Sequence, residues 1–532
     1  MRPYPARAPI LLALVASAFA DNYPRQPGID AQHYIFRVTL RDDTDEIDAQ
    51  STAILRFVQD GVKQFALDLA GPKAGKGMLV TAVTMAGMSL HYTHAADRLT
   101  IDLPWAPKPG EDLEFTVAYH GIAAAGLHAV RNKFGERTFF SWNWPTLAHQ
   151  WLPVIDHPSD KATSEFAVTA PARYQVVANG LLIESTDLPG GRRLTHWKES
   201  VPVAVWLNNI GVAPFTARHL GVADGVPLQT WVFPKDRENG IVTFDEPLRQ
   251  SIEFFSSHIG PYPYEKLAAV ETAQMGGGME HASAIFFGER AVADRPAFSL
   301  VAHEVAHQWW GDSVTEKEWD DAWLSEGFAT YFAALAAEHY QGRDALLAAM
   351  KRSREIIFEA EKRTPGIAVV HDNLPEIQTG RAPSAIVYQK GGWTLHMLRG
   401  LIGAEAFWHG IREYYRRYRD ANASTGDFRR VMEEAAGTDL RWFFDQWLGR
   451  AGSPTIDWSW TYDAPARKVV LHLTQTQPGD PYRLPMEVSL AGQIEKIDFS
   501  AKSQTFQFTH GKSPAAVELD PDTWVLMESR RQ

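Results

Sequence analysis

The sequence predicts a multidomain α+β protein with β-rich regions at both ends and a mainly helical region between them. In residues 21–217, apolar and polar residues alternate in short runs between Gly, Pro and Asp turns. From Phe244 to Ala436, apolar residues recur at helical spacing instead. Short alternating runs return near the C-terminus. We therefore expect three domains, at residues 21–217, 218–449 and 450–532, the last of them a β-sandwich.

Composition and charge narrow the class of protein. With 532 residues, 45% of them hydrophobic, the chain is long enough to bury several cores. Its net charge of −12 argues against a nucleic-acid partner and against an anionic membrane surface. The sequence has no cysteine, which excludes disulfides and thiolate zinc ligands.

Residues 1–20 have the pattern of a secretory signal peptide. Two arginines precede an apolar run from Ile10 to Phe19, and a small-x-small cleavage site follows at residues 18–20. The run is shorter than the roughly 18–20 apolar residues that a transmembrane anchor needs. We expect an exported protein, periplasmic or secreted, with no membrane span once this signal is removed.

The predicted elements follow the chain in order. The first domain contains alternating runs such as Tyr34–Leu40 and Leu113–Tyr119. The helical region begins with Phe244–Ile259, which a Gly-Pro-Tyr-Pro run ends because proline cannot continue the hydrogen-bond ladder. A strand at Leu267–Glu271 comes next, and Lys468–Leu473 begins the C-terminal strands. The further predicted helices are Phe298–Trp310, Leu324–Tyr340, Leu346–Lys362, Ser384–Ile402, Glu405–Tyr418 and Asp427–Ala436.

A His-Glu-x-x-His motif lies in the first of these further helices. His303 and His307 are four residues apart, so on a helix both imidazoles leave the same face, one turn apart. Both could then reach one metal ion at roughly 2.0–2.1 Å. Glu304 follows the first histidine, and its carboxylate can reach a metal-bound water without binding the metal. The alternative is an amphipathic helix with two half-buried histidines.

The third ligand decides between these interpretations. A metzincin would have Gly three residues and His six residues beyond His307, but this chain has Trp310 and Ser313 there. The next predicted helix offers a carboxylate instead, that of Glu326. A His/His/Glu set leaves one position open, as a catalytic zinc site requires. We therefore predict one Zn²⁺ per chain, bound by His303, His307 and Glu326.

Four segments together carry a resemblance to a known family. They are Gly277–His281, His303–Thr315, Trp323–Tyr331 and Val387–Gly392. In this order they resemble the motifs of the aminopeptidase N and leukotriene hydrolase family of zinc metallopeptidases, the gluzincin aminopeptidases. The resemblance implies a short, three-domain, bacterial-type member. It also implies a saddle-like N-terminal β domain, a thermolysin-like catalytic domain and a C-terminal β-sandwich.

The resemblance also assigns roles to individual residues. It implies that Glu304 acts as general base toward a zinc-activated water, and that Tyr388 stabilises the oxyanion formed by attack on a peptide carbonyl. Without the motif around it, Tyr388 would be read as a core aromatic residue. The function implied is a zinc aminopeptidase that removes N-terminal residues from peptides.

The segment around Glu280 sets the type of peptidase. An exopeptidase must bind a free, cationic amino terminus, and a carboxylate in a partly dry pocket does this. The resemblance assigns this site to Gly277, Gly278, Met279 and Glu280, although Glu280 alone would be read as a solvated loop acid. His281 stands where the family usually has Asn, as does Ser325 on the second metal helix.

A departure from the family lies in the first domain. Where the family commonly carries Gln or Glu to help bind the substrate's amine, this chain has Asn143 and Trp144. We predict that Trp142, Asn143 and Trp144 line an apolar or aromatic first pocket. The alternative is that these aromatic residues simply pack a domain interface.

Two other functions stay open at this point. One is a catalytically inactive relative that acts as a peptide-binding or scaffold protein. The other is a thermolysin-like endopeptidase, which would not require a free amino terminus on its substrate.

Overall fold

The computed structural model of the chain describes residues 25–373, 375 and 385–532. The predicted signal peptide lies outside the described residues, as does the start of the helix predicted from Ser384. Within the described part, a strand-rich N-terminal region, a helical region and a C-terminal strand-rich region follow one another. This confirms the predicted α+β class.

The N-terminal region is built of strands β1 to β15. An eight-stranded sheet has the order β13-β14-β11-β1-β2-β8-β4-β5, and two smaller sheets have the orders β12-β15-β10-β9 and β3-β7-β6. Along β11 every second residue is buried, because successive side chains of a strand point to opposite faces. The strands are β1 (Ile29–Thr39), β2 (Ile47–Phe57), β3 (Gln64–Asp68), β4 (Gly77–Met85), β5 (Met88–Ser89), β6 (Tyr92–Ala95), β7 (Arg98–Asp102), β8 (Asp112–Ile122), β9 (Leu127–Arg131), β10 (Arg137–Ser141), β11 (Lys161–Pro171), β12 (Gln175–Ala178), β13 (Leu181–Leu188), β14 (Arg192–Ala204) and β15 (Ile210–Ala213).

A five-stranded sheet opens the middle region, in the order β16-β17-β18-β20-β19. Its central strands are buried along their whole length, as is usual for parallel strands covered on both faces. The strands of this region are β16 (Thr216–Ala223), β17 (Val226–Val232), β18 (Leu267–Thr272), β19 (Gly278–Met279), β20 (Ala284–Gly288), β21 (Val314–Glu316) and β22 (Ala421–Ala423).

Helices pack against this sheet and against one another. They are α1 (Arg237–Gly240), α2 (Glu246–His258), α3 (Phe298–His307), α4 (Trp323–Gln341), α5 (Arg343–Arg363), α6 (Gly391–Ile402), α7 (Ala404–Tyr418), α8 (Thr425–Ala436) and α9 (Arg441–Trp447). Residues 241–245 and 385–390 form π-helical turns. Helix α3 ends three residues before its predicted end at Trp310, because the chain turns back at Gly311, whose φ is +103°.

The C-terminal region consists of two small sheets, with the orders β27-β24-β23-β29 and β26-β25-β28. Its strands are β23 (Thr455–Asp463), β24 (Lys468–Gln475), β25 (Leu484–Leu490), β26 (Gln493–Phe499), β27 (Ser503–Thr509), β28 (Val517–Leu519) and β29 (Glu528–Arg531). Buried apolar residues of all three regions form one continuous cluster. The predicted domain limits stay predictions; the limit at residue 217 falls inside β16.

A search of the described residues for a helix both long and apolar enough to cross a bilayer finds none.

Candidate metal centre

Helices α3 and α4 bring the three predicted ligands together. His303 and His307 lie one turn apart on α3, and their Nε2 atoms are 3.2 Å from each other. Oε2 of Glu326, in the first turn of α4, lies 3.3 Å from Nε2 of His307 and 3.6 Å from Nε2 of His303. Side chains from two helices thus converge on one point.

The donor set fits a zinc ion. The ligand atoms of His303, His307 and Glu326 all lie within 4.8 Å of one another. Oε2 of Glu326 is buried and accepts no hydrogen bond from the described residues, which is costly for a carboxylate unless a cation faces it. Two ligands at roughly 2.0–2.1 Å in a tetrahedral arrangement would be about 3.3 Å apart. The observed separations are close to that value.

Contacts on the far side of His307 fix which ring nitrogen faces the site. Its Nδ1 lies 3.1 Å from the carbonyl oxygen of Trp310 and 3.0 Å from Oγ of Ser325. A carbonyl can only accept, so Nδ1 carries the proton and Nε2 is left with its lone pair for a metal. The sequence predicted neither contact. Ser325 had a signal in its position beside Glu326, whereas a backbone carbonyl has none.

Glu304 lies between the metal ligands and the segment around Gly278. It is buried, and its carboxylate, that of Glu280 and the imidazole of His307 lie within 4.8 Å of one another. A Cβ atom added at Gly278 would lie 2.2 Å from Oε1 of Glu304, so any other residue here would displace this carboxylate. Burial, and then the nearby Glu280 carboxylate, raise the pKa of Glu304 well above its usual value.

Tyr388 reaches the same centre from the π-helical turn at residues 385–390. Its hydroxyl donates a 2.5 Å hydrogen bond to Oε1 of Glu326, the oxygen that does not face the histidines. Burial tends to raise the pKa of Glu326, but His307 and His303 together hold it at about 2. The carboxylate is therefore ionised, as a metal ligand must be.

Two glycines allow this turn to approach α4. A Cβ atom at Gly327 would lie 2.8 Å from the carbonyl carbon of Gly391, at the start of α6. The two backbones are thus in direct contact, one residue beyond Glu326 and three beyond Tyr388. The close contact therefore lies beside both Glu326 and Tyr388, the two residues joined by the hydrogen bond.

Gln308, the residue after α3, holds the segment of the predicted amine site. Its Nε2 donates a 2.8 Å hydrogen bond to the carbonyl oxygen of Glu280, and its Oε1 accepts from the backbone N–H of Ser283 at 2.8 Å. Glu280 is buried, and burial raises the pKa of its carboxyl. No motif in the sequence points to Gln308, although it follows His307 directly.

The N-terminal region also holds this segment. Asn179 and Asn209 each donate a 2.7 Å hydrogen bond through Nδ2, to the carbonyl oxygens of Ala282 and Ala284 respectively. The backbone N–H of Gly180 donates to Oγ of Ser283 at 2.7 Å. Both asparagines are buried. The chain that follows Glu280 is therefore fixed by side chains from another part of the molecule.

The remaining residues of the predicted amine site lie in the same segment. Met279 is buried and pairs with Phe286 across β19 and β20. Gly277 has a φ of +100°, which favours glycine. The His281 ring packs edge-on against Phe286, and neither of its nitrogens has a hydrogen-bond partner among the described residues. The structure thus places all four predicted residues together, and their roles stay predictions.

The predicted first-pocket residues differ in what they contact. Asn143 is buried, and its amide is occupied by the carbonyl oxygen of Asn208 and by Nε1 of Trp151. Trp144 packs edge-on against Trp319, which precedes α4. Trp142 is half-buried. Both tryptophans thus keep part of their surface exposed, where a ligand could contact it. The Asn143 amide, by contrast, is hydrogen-bonded within the protein. The assignment of a first pocket stays a prediction.

A cavity of about 570 Å³ opens beside His303 and Tyr388. It runs between α3, α4 and α5, and its wall includes Ala333, Ala337 and Ala349. The groove thus lies next to the metal ligands and is lined in part by small side chains.

Comparisons with known proteins agree with this geometry. Residues 30–207 match the family described as the Peptidase M1 N-terminal domain, and residues 246–447 match the Peptidase family M1 domain. The second match contains every predicted metal ligand together with Glu280, Glu304 and Tyr388.

Individual aminopeptidases are also similar to this chain in sequence. Glutamyl aminopeptidase of Mus musculus is 26% identical over 370 residues, which are 66% of this chain and 38% of that protein. A protein of Sulfurisphaera tokodaii described as probable aminopeptidase 2 is 30% identical over 325 residues, 58% of this chain and 41% of that protein. The chain therefore spans about two fifths of these curated relatives.

A solved structure extends the comparison to the fold. The crystal structure of a mutant M1 zinc metallopeptidase from Deinococcus radiodurans superposes with a TM-score of 0.68 at 25% identity. The superposition covers 80% of this chain and 96% of that one.

Proposed function

Because this chain belongs to peptidase family M1, we propose that it is a zinc-dependent aminopeptidase, a hydrolase that removes N-terminal residues from peptides. One observation carries the proposal: the Nε2 atoms of His303 and His307 and the buried Oε2 of Glu326 converge on one point, at separations of 3.2–3.6 Å. These three residues would hold the metal. When bound, zinc supplies Lewis acidity, which makes water more acidic and polarises a carbonyl group.

Glu304 is suited to move the proton. Its carboxylate takes a proton from the attacking water as the new C–O bond forms, and delivers it to the leaving nitrogen as the C–N bond breaks. Burial raises the pKa of Glu304, so the carboxylate can hold this proton between the two steps. The contact with Gly278 limits where its oxygens can lie.

Tyr388 is suited to stabilise developing charge. Its hydroxyl donates to Glu326 and so already points into the centre. A hydrogen bond that strengthens as the carbonyl oxygen becomes negative lowers the barrier rather than binding the substrate. Burial raises the pKa of Tyr388 well above its usual value, so the phenol keeps its proton and stays a donor.

Glu280 is suited to bind the substrate's amino terminus. It is buried, and its carboxylate lies within 4.8 Å of the Glu304 carboxylate and the His307 imidazole, beside the proposed reacting groups. A free ammonium group there forms a charge-assisted hydrogen bond, which a blocked amine cannot form. Cleavage one residue from the amino terminus follows from this placement.

Replacing this carboxylate tests the exopeptidase assignment. We expect Glu280→Gln to lower kcat/KM for aminoacyl chromogenic substrates by roughly 10- to 100-fold, because a charge-assisted bond is worth about 1.5–3 kcal/mol. We also expect the unmodified protein to leave N-acetylated substrates intact. Steady-state kinetics with matched free and acetylated substrates measures both effects.

Glu355→Gln, an exposed change on α5, serves as the control and should leave kcat/KM unaltered. Equal cleavage of acetylated and free peptides would instead identify an endopeptidase. A zinc-loaded protein that cleaves neither substrate would point to an inactive, peptide-binding relative.

We also propose that the protein is exported to the periplasm or beyond. The support is the sequence pattern of residues 1–20, which lie outside the described residues. Expressed in a bacterium, the chain should be found outside the cytoplasm with Asp21 as its first residue. Fractionation and N-terminal sequencing measure this, and a cytoplasmic protein that retains residues 1–20 would contradict it.

A further inference from the structure

Lys390 is a completely buried lysine two residues after Tyr388. Its ammonium group donates a 2.9 Å hydrogen bond to Oε1 of Glu361 on α5 and a 2.7 Å hydrogen bond to the carbonyl oxygen of Gly452. Removing an ammonium group from water is costly, so a lysine stays buried only where such partners surround it. Lys390 is also the only charged residue of the π-helical turn.

One partner of Lys390, Gly452, lies at the start of the C-terminal region, and the other, Glu361, is bonded to that region in turn. Ser453 donates a 2.9 Å hydrogen bond to the same oxygen of Glu361, and the Tyr482 hydroxyl donates 2.8 Å to the Gly452 carbonyl. Thus α5, the π-helical turn and the C-terminal sheets meet at one ammonium group. We call Glu361, Lys390, Gly452, Ser453 and Tyr482 the junction cluster.

The same π-helical turn also contacts the metal centre. The π-helical turn spans only six residues, and within it the side chain of Tyr388 points to Glu326 while that of Lys390 points to the junction cluster. A shift of the lysine would therefore move the phenol, because only Gln389 separates the two residues along the backbone. Oxyanion stabilisation is sensitive to such shifts, since its donors must be aimed in advance.

We propose that Lys390 is a positioning residue, through which the C-terminal region holds Tyr388 in the orientation needed for catalysis. The inference rests on the proposed aminopeptidase function and adds to it a role for a region that contains none of the predicted catalytic residues. Lys390 itself touches neither the metal ligands nor the groove beside them among the described contacts.

A double-mutant cycle between Lys390→Met and Tyr388→Phe tests the proposal. We expect Lys390→Met alone to lower kcat about tenfold, a coupling of ordinary size for residues in one network, with KM and bound zinc unchanged. In the Tyr388→Phe background the same change should lower kcat less than twofold, because the phenol it positions is already gone. Kinetics of the four zinc-loaded proteins gives the coupling directly.

Arg399→Met is the matched control, because Arg399, on α6, forms a comparable, largely buried ion pair with Glu338 on α4. Arg399→Met should change kcat by the same factor whether residue 388 is Tyr or Phe. Equal losses from Lys390→Met in the two backgrounds, or no loss at all, would overturn the proposal. If Lys390→Met does not fold, Ser453→Ala, which removes only one hydroxyl from the junction cluster, replaces it and should show the same coupling on a smaller scale.

A readout independent of turnover separates this proposal from the proposed function. With 3-fluorotyrosine incorporated at position 388, the ¹⁹F resonance should shift or broaden in Lys390→Met and stay unchanged in Arg399→Met. An unchanged resonance in Lys390→Met would overturn the positioning role even in an active enzyme. An inactive unmodified protein would refute the aminopeptidase assignment, while the resonance would still report whether Lys390 positions the tyrosine.

Discussion

Glu304→Gln is expected to lower kcat by roughly 10³-fold or more while leaving bound zinc and the fold unchanged. General acid–base groups contribute about 10²- to 10⁴-fold, and this residue is proposed to serve both proton-transfer steps. Glutamine has nearly the same shape, so the contact with Gly278 should persist. Steady-state kinetics with aminoacyl substrates, together with metal analysis and circular dichroism, measures the effect.

The change should act on turnover rather than on binding, so KM should change little. Glu253→Gln, on the exposed face of α2, is a matched control and should keep full activity. A Glu304→Gln protein that retains more than about a tenth of normal kcat would show that another group moves the proton.

Removal of the metal is expected to abolish activity and to weaken the fold. A chelator should reduce hydrolysis to background, and stoichiometric zinc should restore it, because the ion supplies the Lewis acidity that activates the water and the carbonyl group. Zinc at about 1,000 times its Kd stabilises the folded protein by about 4 kcal/mol, or roughly 4 °C in midpoint for a cooperatively unfolding chain of this size. Calorimetry with and without zinc measures the shift.

Glu326→Gln should reproduce the loss, since it removes the charge that completes the donor set. His339→Ala, an exposed histidine on the same helix, should retain zinc and activity. Full hydrolysis by a protein shown to contain no metal would refute the zinc assignment.

The ligand set could be predicted from sequence because its geometry is local. His303 and His307 share one helical turn, and helical periodicity alone places both imidazoles on one face. Glu326 required only that the next predicted helix fold back, as successive helices joined by short loops usually do. The structure brings these three side chains together in the predicted arrangement.

The supporting contacts were not predictable in the same way. Gln308 binds the chain near Glu280, and Lys390 binds Gly452, each pairing residues distant in sequence. No periodicity links such positions, since the pairing depends on how the sheets and helices pack. For the same reason, the sequence could not show that the Asn143 amide is hydrogen-bonded within the protein, to Asn208 and Trp151.

The hydrogen bonds from Asn179, Gly180 and Asn209 to residues 282–284 bear on how far the enzyme can be shortened. A fragment that begins near residue 218 would keep the zinc ligands yet lose these hydrogen bonds. Its proposed exopeptidase character would suffer before its metal affinity, because the segment that loses these bonds is the one that follows Glu280. A shortened catalyst based on this chain must therefore retain the N-terminal β region.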